Sequence, residues 1–496
     1  MEKKRRKPED VEKEIAAINK EIKKKKLRWK AGKTSLSALP KNEIRQRLGL
    51  LIEEDRLKRF LKKQEERQKK RRGDPPHPSP VDPPSHWDWR NVSGTNWTTN
   101  IRDQGWCGSC VAFGVVAVLE MMVKRWVYRD ATVDPNQVDF SEAHLYFANN
   151  RHCRIYTCNL PPNNSCSAPN WGWWISAALN YLKANWICNE DCFPYNGPNR
   201  PCNNCNTTCI SQVPPGPPGT KWNPGQPCGL CNQPCTQALT LCPEWPYDIN
   251  FTKIKDWTAI TSKDEMKKVL SEHGCLVADF VVYEDFINYP GGIYEWDGNS
   301  KLLGGHAVAV VGYDDVDDCW ICKNSWGTGW GEAGGGEVGG WFRIAYDECL
   351  IDDTMYKIEL FCPAEESGKA MGLPSDTITM IRRFRDDLLT TRKGRAYLSL
   401  AQENIGLVIR IFHILKRDAE LRKEAMNALE PFIKAIITKD SFRPFRLNEE
   451  HFKAGIMVLK KLGKRDPKLV LAVKRITEEV PRFVGKNIRQ IMHELF

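Results

Sequence analysis

Lys323-Asn324-Ser325-Trp326-Gly327-Thr328-Gly329-Trp330-Gly331 begins where the short apolar run Trp320-Ile321-Cys322-Lys323 ends. The run reads as a strand, and the glycine-rich stretch as the loop that follows it. A second strand is predicted upstream: Gly304-Gly305-His306 opens into Ala-Val-Ala-Val-Val-Gly, with His306 starting the strand. Neighbouring strand ends would bring the side chains of Asn324 and His306 together. Trp326 and Trp330 fit core aromatics on this reading. Two further strands are expected at Leu276–Val282 and at Trp341–Ile344.

The region ahead of these strands has a different period. Gln104-Gly105-Trp106-Cys107-Gly108-Ser109-Cys110 runs straight into Val-Ala-Phe-Gly-Val-Val-Ala-Val-Leu-Glu. This predicts an apolar helix from Cys110 through Lys124, with others near Ser141–Ala148 and Trp174–Ala184. A helical half followed by a β half is an α+β layout. A thiol at a helix N-terminus sits at the positive end of the dipole, which favours the nucleophilic thiolate. Such a thiolate attacking a carbonyl needs an imidazole, a group that fixes the imidazole tautomer, and donors for the oxyanion. His306 and Asn324 supply the first two.

These stretches resemble the active-site signatures of papain and the cathepsins. Trp87-Asp88-Trp89-Arg90, Phe193-Pro194-Tyr195 and Tyr289-Pro290-Gly291-Gly292-Ile293-Tyr294 match in order and kind, so the resemblance covers roughly 86–362. It implies a papain-like two-lobed fold, with a helical lobe and a β-barrel-like lobe. It implies a cysteine endopeptidase acting on protein or peptide substrates through a thioester on Cys110, with no cofactor and no metal. Gln104 and the Cys110 backbone N–H would form the oxyanion hole, and Trp326 would shield the His306–Asn324 hydrogen bond. Gly172, Trp171, Trp326 and Gly305 would line the substrate site. Cys107 would be a structural disulfide partner of a cysteine between 153 and 166.

Departures accompany the match. Val111 replaces an aromatic residue, and Trp171 replaces a glycine. Cys110 and His306 lie 196 positions apart, against about 130–150 in the family. Gly305 stands where plant papains carry an acidic residue. Two other readings follow from the same residues. A catalytically silent binding domain is one. The other is a thiol–disulfide oxidoreductase using Cys107 and Cys110, which leaves the Asn324–Gly331 run unexplained.

Charge divides the chain. Residues 1–72 hold 27 Lys+Arg against 12 Asp+Glu, residues 73–362 hold 19 against 33, and residues 363–496 hold 27 against 17. The acidic body makes basic substrate residues plausible. Residues 1–72 are expected to form two or more helices with a break at Gly32–Ser35. Trp29-Lys30-Ala31-Gly32-Lys33-Thr34-Ser35 through Arg47-Leu48-Gly49 resembles a leader found before prokaryotic papain-like domains. The expectation is an autoinhibitory segment held partly by charge. Neither basic end carries a nucleic-acid fold signature, so no nucleic-acid partner is expected.

Residues 73–85 read as a proline-rich linker, 363–375 as a second linker, and 376–496 as an all-helical appendage with Asp376 as an N-cap and an unidentified partner. Twelve of 19 cysteines lie between Cys153 and Cys242. Residues 196–247 repeat a Cys-x-x-Cys-x-x-x-Cys triplet, for which disulfides are favoured over zinc. Cysteine content favours an extracytoplasmic setting. The N-terminal Met1–Lys7 does not read as a secretory signal, and no stretch approaches the roughly 18 apolar residues of a membrane span.

Overall fold

A computed structural model describes residues 5–70, 83–128, 138–147, 172–190 and 251–361, then 417–437, 445–466, 480–487 and isolated positions elsewhere. The cysteine-rich insert at 196–247, Trp171 and the predicted stripe from Ile378 to Leu389 lie outside them. The chain divides into two compact units, one holding residues 1–243 and 252–360, the other 244–251 and 361–496.

The first unit opens with three leader helices, α1 (Pro8–Lys25), α2 (Lys41–Arg47) and α3 (Glu54–Lys70). The expected break is longer than Gly32–Ser35. Lys26 takes a left-handed φ of 55° and ends α1, and no helix resumes until Lys41. Strand β1 (His86–Asp88) follows, then α4 (Cys110–Val123), α5 (Glu142–Phe147) and α6 (Ile175–Ala184). Helix α4 is apolar on every side, and 13 of its residues are buried. A helix of that kind belongs inside the protein rather than on its surface.

After two short strands, β2 (Ile187–Cys188) and β3 (Phe251–Thr252), come β4 (Ile254–Ile260), α7 (Lys263–Glu272) and β5 (Leu276–Tyr283). The rest are β6 (Ile293–Tyr294), β7 (Leu302–Asp314), β8 (Cys319–Lys323), β9 (Glu332–Gly334), β10 (Glu337–Ala345) and β11 (Met355–Leu360). One nine-stranded sheet runs β4-β11-β5-β7-β8-β10-β6, with β1 on β7 and β9 on β10. All of its pairs are antiparallel except β6 with β10. The α+β layout is as the sequence predicts.

Two details differ from expectation. His306 does not start its strand; β7 begins at Leu302 and pairs with β5 from Tyr283 onward. Glycine is a weak strand former, so Gly304-Gly305 hid the first part of the ladder. The edge strand β4 and its neighbour β11 were also missed. Their half-exposed, polar-rich residues lack the apolar run by which β5 was recognised.

Helix α4 crosses β7 closely. A Cβ at Gly114 would lie 3.2 Å from the Ala307 carbonyl carbon, so glycine there sets the depth of the crossing. The core joins leader and body. Ile18, Ile22, Trp29, Leu48 and Phe60 share one cluster with Phe280, Phe286, Trp326, Trp330 and Phe342. Burial on that scale holds the leader by the hydrophobic effect as well as by charge.

The second unit is helical where it is described. Helices α8 (Ala419–Ile437) and α9 (Glu449–Arg465) bury Leu421, Ala425, Ala428, Val458 and Leu462. Asn448 and His451 form a capping box at the start of α9. Helix α9 ends at Arg465, within the break that Gly463-Lys464-Arg465-Asp466-Pro467 predicts. No helix among the described residues is long and apolar enough to cross a membrane.

Candidate active site

Cys110 is the first residue of α4, and its thiol is free and fully buried. Cys107 is disulfide-bonded. The two therefore do not form a closed redox pair with each other. Tyr195 braces the turn between Gln104 and Cys110: its hydroxyl donates to the Gln104 carbonyl at 2.8 Å and lies 2.9 Å from Ser109 Oγ.

His306 Nε2 and Asn324 Oδ1 are 2.8 Å apart, with both side chains buried. Asn324 also accepts from the Ser325 N–H through Oδ1 at 2.8 Å, which fixes the amide. Phe280, opposite His306 on β5, packs edge-on against the ring at 5.7 Å, and Trp326 covers it at 4.8 Å. His306 Nδ1 has no hydrogen-bond partner among the described residues. The Cys110 thiol lies against the backbone of Ala307, the next residue along β7.

A polar brace behind the site went unread in the sequence. Thr99 Oγ1 donates to Glu120 of α4 and accepts from Lys323 at the end of β8, both at 2.7 Å. It ties the helix that carries Cys110 to the strand that ends beside Asn324. Burial pushes the Glu120 carboxyl up to about 7 despite Lys323 nearby, and pushes Lys323 down to about 8.

The cleft is filled by the leader. Between α2 and α3, Leu50 N–H donates to the Gly305 carbonyl at 3.2 Å, and Leu51 N–H to the Trp173 carbonyl at 3.0 Å. Trp173 N–H donates back to the Gly49 carbonyl at 2.7 Å. Gln104 Nε2 donates to the Arg47 carbonyl at 2.8 Å, while its Oε1 is held by Ser325 Oγ at 2.7 Å. A leader carbonyl thus sits on the amide predicted to serve the oxyanion. Of the predicted lining residues, Gly172 and Gly305 touch this strap: a Cβ on either would come within 2.7 Å of a leader carbonyl oxygen.

Occlusion changes the electrostatics expected from the sequence. Burial pushes the Cys110 thiol up to about 11, although backbone groups of Ala307, Gly49, Val111 and Leu50 oppose it. Burial also pushes His306 down to about 4; Asn324 opposes this, and the charge of Arg47 adds to it. The helix dipole is outweighed, and thiol and imidazole are both neutral beneath the strap.

A sequence profile described as "Papain family cysteine protease" matches residues 83–358, more than half of the chain. The chain belongs to the papain family. Within the family, it is 32% identical over 261 residues to cathepsin B-like cysteine proteinase 6 of Caenorhabditis elegans, covering 51% of this chain and 60% of that protein. It is 29% identical over 262 residues to cysteine proteinase 1 of Entamoeba histolytica, covering 51% and 63%. The chain therefore spans about three fifths of the length of these relatives. Among solved structures, procathepsin B S9 from Trypanosoma congolense is similar, at 20% identity with a TM-score of 0.44, covering 71% of this chain and 98% of that one.

Proposed function

We propose that the protein is a cysteine endopeptidase whose residues 1–72 hold it latent. The supporting observation is the buried His306–Asn324 hydrogen bond of 2.8 Å beside a free Cys110 at a helix N-terminus. Asn324 takes up one ring nitrogen and leaves Nδ1 to serve the thiol.

With the leader withdrawn, His306 takes the Cys110 proton and the thiolate attacks the peptide carbonyl carbon. The oxyanion is held by the Gln104 amide and the Cys110 N–H. The C–N bond breaks as His306 returns the proton to the leaving amine, and a thioester remains. Water then attacks that thioester, His306 taking its proton, and the carboxylic acid leaves as the thiol is restored. Trp326 excludes water from the His306–Asn324 bond. Gly172 and Gly305, which bond to or touch the leader backbone in the closed state, receive the substrate backbone in the open one. Trp171 lies outside the described residues; the family resemblance assigns it to substrate binding as well. Residues 376–496 are assigned to a separate partner.

The test uses the full chain. A Cβ at Gly49 would meet the Gly108 carbonyl oxygen at 1.7 Å, so Gly49→Ala must lift the strap. The variant should hydrolyse fluorogenic peptides roughly 10- to 100-fold faster than the parent chain, on an overpacking cost of about 1–3 kcal/mol. A thiol-reactive peptidyl inhibitor should modify Cys110 in it, and only while His306 is intact. Labelling at another cysteine, or equal activity in both chains, would sink the reading.

A further inference from the structure

Beside the strap is a cavity of about 190 Å³, to which the body contributes Trp174, Ile175, Ser176, Asp279, Thr354 and Tyr356. Leader residues Leu50 and Arg56 close its other side. Asp279 lies on β5 directly opposite Ala307, one position from the Phe280–His306 pair. Leu50, which lines the cavity, also donates to the Gly305 carbonyl beside His306, so the cavity adjoins the strap where it crosses the site.

Arg56, in the first turn of α3, reaches into this wall. Its two terminal nitrogens grip both oxygens of Asp279, one of them at 3.2 Å, and its Nε donates to Asp353 at 2.6 Å. The Asp279 side chain is only 4% exposed, whereas Asp353 is 42% exposed. A buried carboxylate without a cation is costly, and a planar two-pronged partner satisfies it well. Burial keeps the Asp279 carboxyl raised even with Arg56 in place. When the leader leaves, it removes the cation and leaves the carboxylate in the wall of an opened pocket.

We propose that Asp279, assisted by Asp353, makes this pocket a subsite for an arginine or lysine side chain of the substrate, and that Arg56 is its stand-in while the leader is docked. The inference rests on the peptidase reading and adds a substrate class to it. Arg56 shows that the geometry accepts a guanidinium. Trp174, at the mouth and 38% exposed, offers an apolar face to the methylene stem of such a side chain. The net acidity of residues 73–362 had no location in the sequence; here it has one at the cleft.

The test uses full-length Gly49→Ala and tripeptidyl coumarin amides carrying Arg, Lys, citrulline or Leu in turn at each position. At one position Arg and Lys should exceed citrulline, the neutral mimic of arginine, by roughly 10- to 100-fold in kcat/KM. That ratio should collapse toward one in Asp279→Asn and fall less in Asp353→Asn. Circular dichroism checks folding, and Asp279→Ala repeats the measurement should the Asn variant misfold. Binding of the same peptides to a Cys110→Ala, Gly49→Ala chain is measured separately, and there too Arg should outbind citrulline only with Asp279 present. If no peptide is cleaved yet binding follows this pattern, the peptidase reading fails and the subsite stands. Any Arg preference indifferent to both Asp279 variants, or no preference at all, overturns the subsite.

Discussion

Between Arg28 and Ser35 the leader is gripped by buried side chains as well as by backbone bonds at Arg28, Gly32 and Ser35; between Arg47 and Leu51 it is gripped chiefly by its backbone. In the first region Trp29 packs against Tyr289 and Tyr294 at 6.0 and 5.2 Å, and its indole N–H donates to the Glu295 carbonyl at 2.8 Å. Thr34 Oγ1 donates to the Ile287 carbonyl at 2.8 Å. In the second region Arg47 pairs with Asp103 at 2.8 Å and Leu48 is buried, but across the cleft the contacts are carbonyls and N–H groups of Arg47, Gly49, Leu50 and Leu51 on Gln104, Trp173 and Gly305. Area buried by a large aromatic supplies affinity. A backbone strap supplies little of it but occupies the place where a substrate backbone would lie. Anchoring and blocking are thus separate tasks, carried by segments about 20 residues apart.

The separation can be broken most forcefully at the anchor. Trp29→Ala should weaken docking by about 3–5 kcal/mol, as for other buried aromatics. Protease sensitivity of the leader should rise with peptidase activity; a Trp29→Ala chain as latent as its parent would mean that the strap alone suffices. Acid should act next. His306 is held near 4 in the closed chain against an ordinary 6.5. In that window an opened chain binds a proton that the closed one refuses. Closure is therefore at full strength above about 6.5 and weakens by about 1.4 kcal/mol per pH unit as pH falls toward 4. Cys110 acts on the other side, since its thiol is held near 11 against 9.0. Closure should weaken again as pH rises from about 9 to 11, so the rate of iodoacetamide labelling at Cys110 should be lowest, relative to an opened chain, in between.

Asn324→Ala in the opened chain should lower kcat by roughly 10-fold, less than the roughly 100- to 10,000-fold that an acid–base group itself supplies, while leaving leader docking intact. An unchanged kcat would remove Asn324 from the proposed machinery. The smallest effect is expected at Lys41, which pairs with Glu284 at 2.6 Å while 38% exposed. Lys41→Ala should cost less than about 1 kcal/mol and change latency by no more than a few fold. A large effect there would return the leader to the charge-held picture drawn from composition.

Much of the site was legible because its parts sit in short, regular contexts. Cys110 opens an unmistakably apolar helix, and Asn324 follows a compact strand, so each could be placed from local pattern alone. Gln104 was legible through the family resemblance, not through its own chemistry. The brace of Thr99, Glu120 and Lys323 was not legible, since Glu120 reads as an interruption of an apolar run until its partners from distant segments are seen. Asp279 was equally silent: one carboxylate within Leu276–Tyr283 is a flaw in a strand until Arg56, 223 positions away, meets it.

The amino-acid order by itself determined that an apolar helix begins at Cys110, that one strand bears His306 and another ends just before Asn324, and that a basic leader precedes an acidic body. Periodicity and charge are local properties, and no fold is needed to compute them. Only the tertiary structure decided that the leader lies across the thiol, that the thiol and imidazole are neutral there, and that Arg56 fills an acidic pocket. Those outcomes depend on desolvation and on contacts between residues far apart in the chain. Neither is a property of any single stretch of sequence.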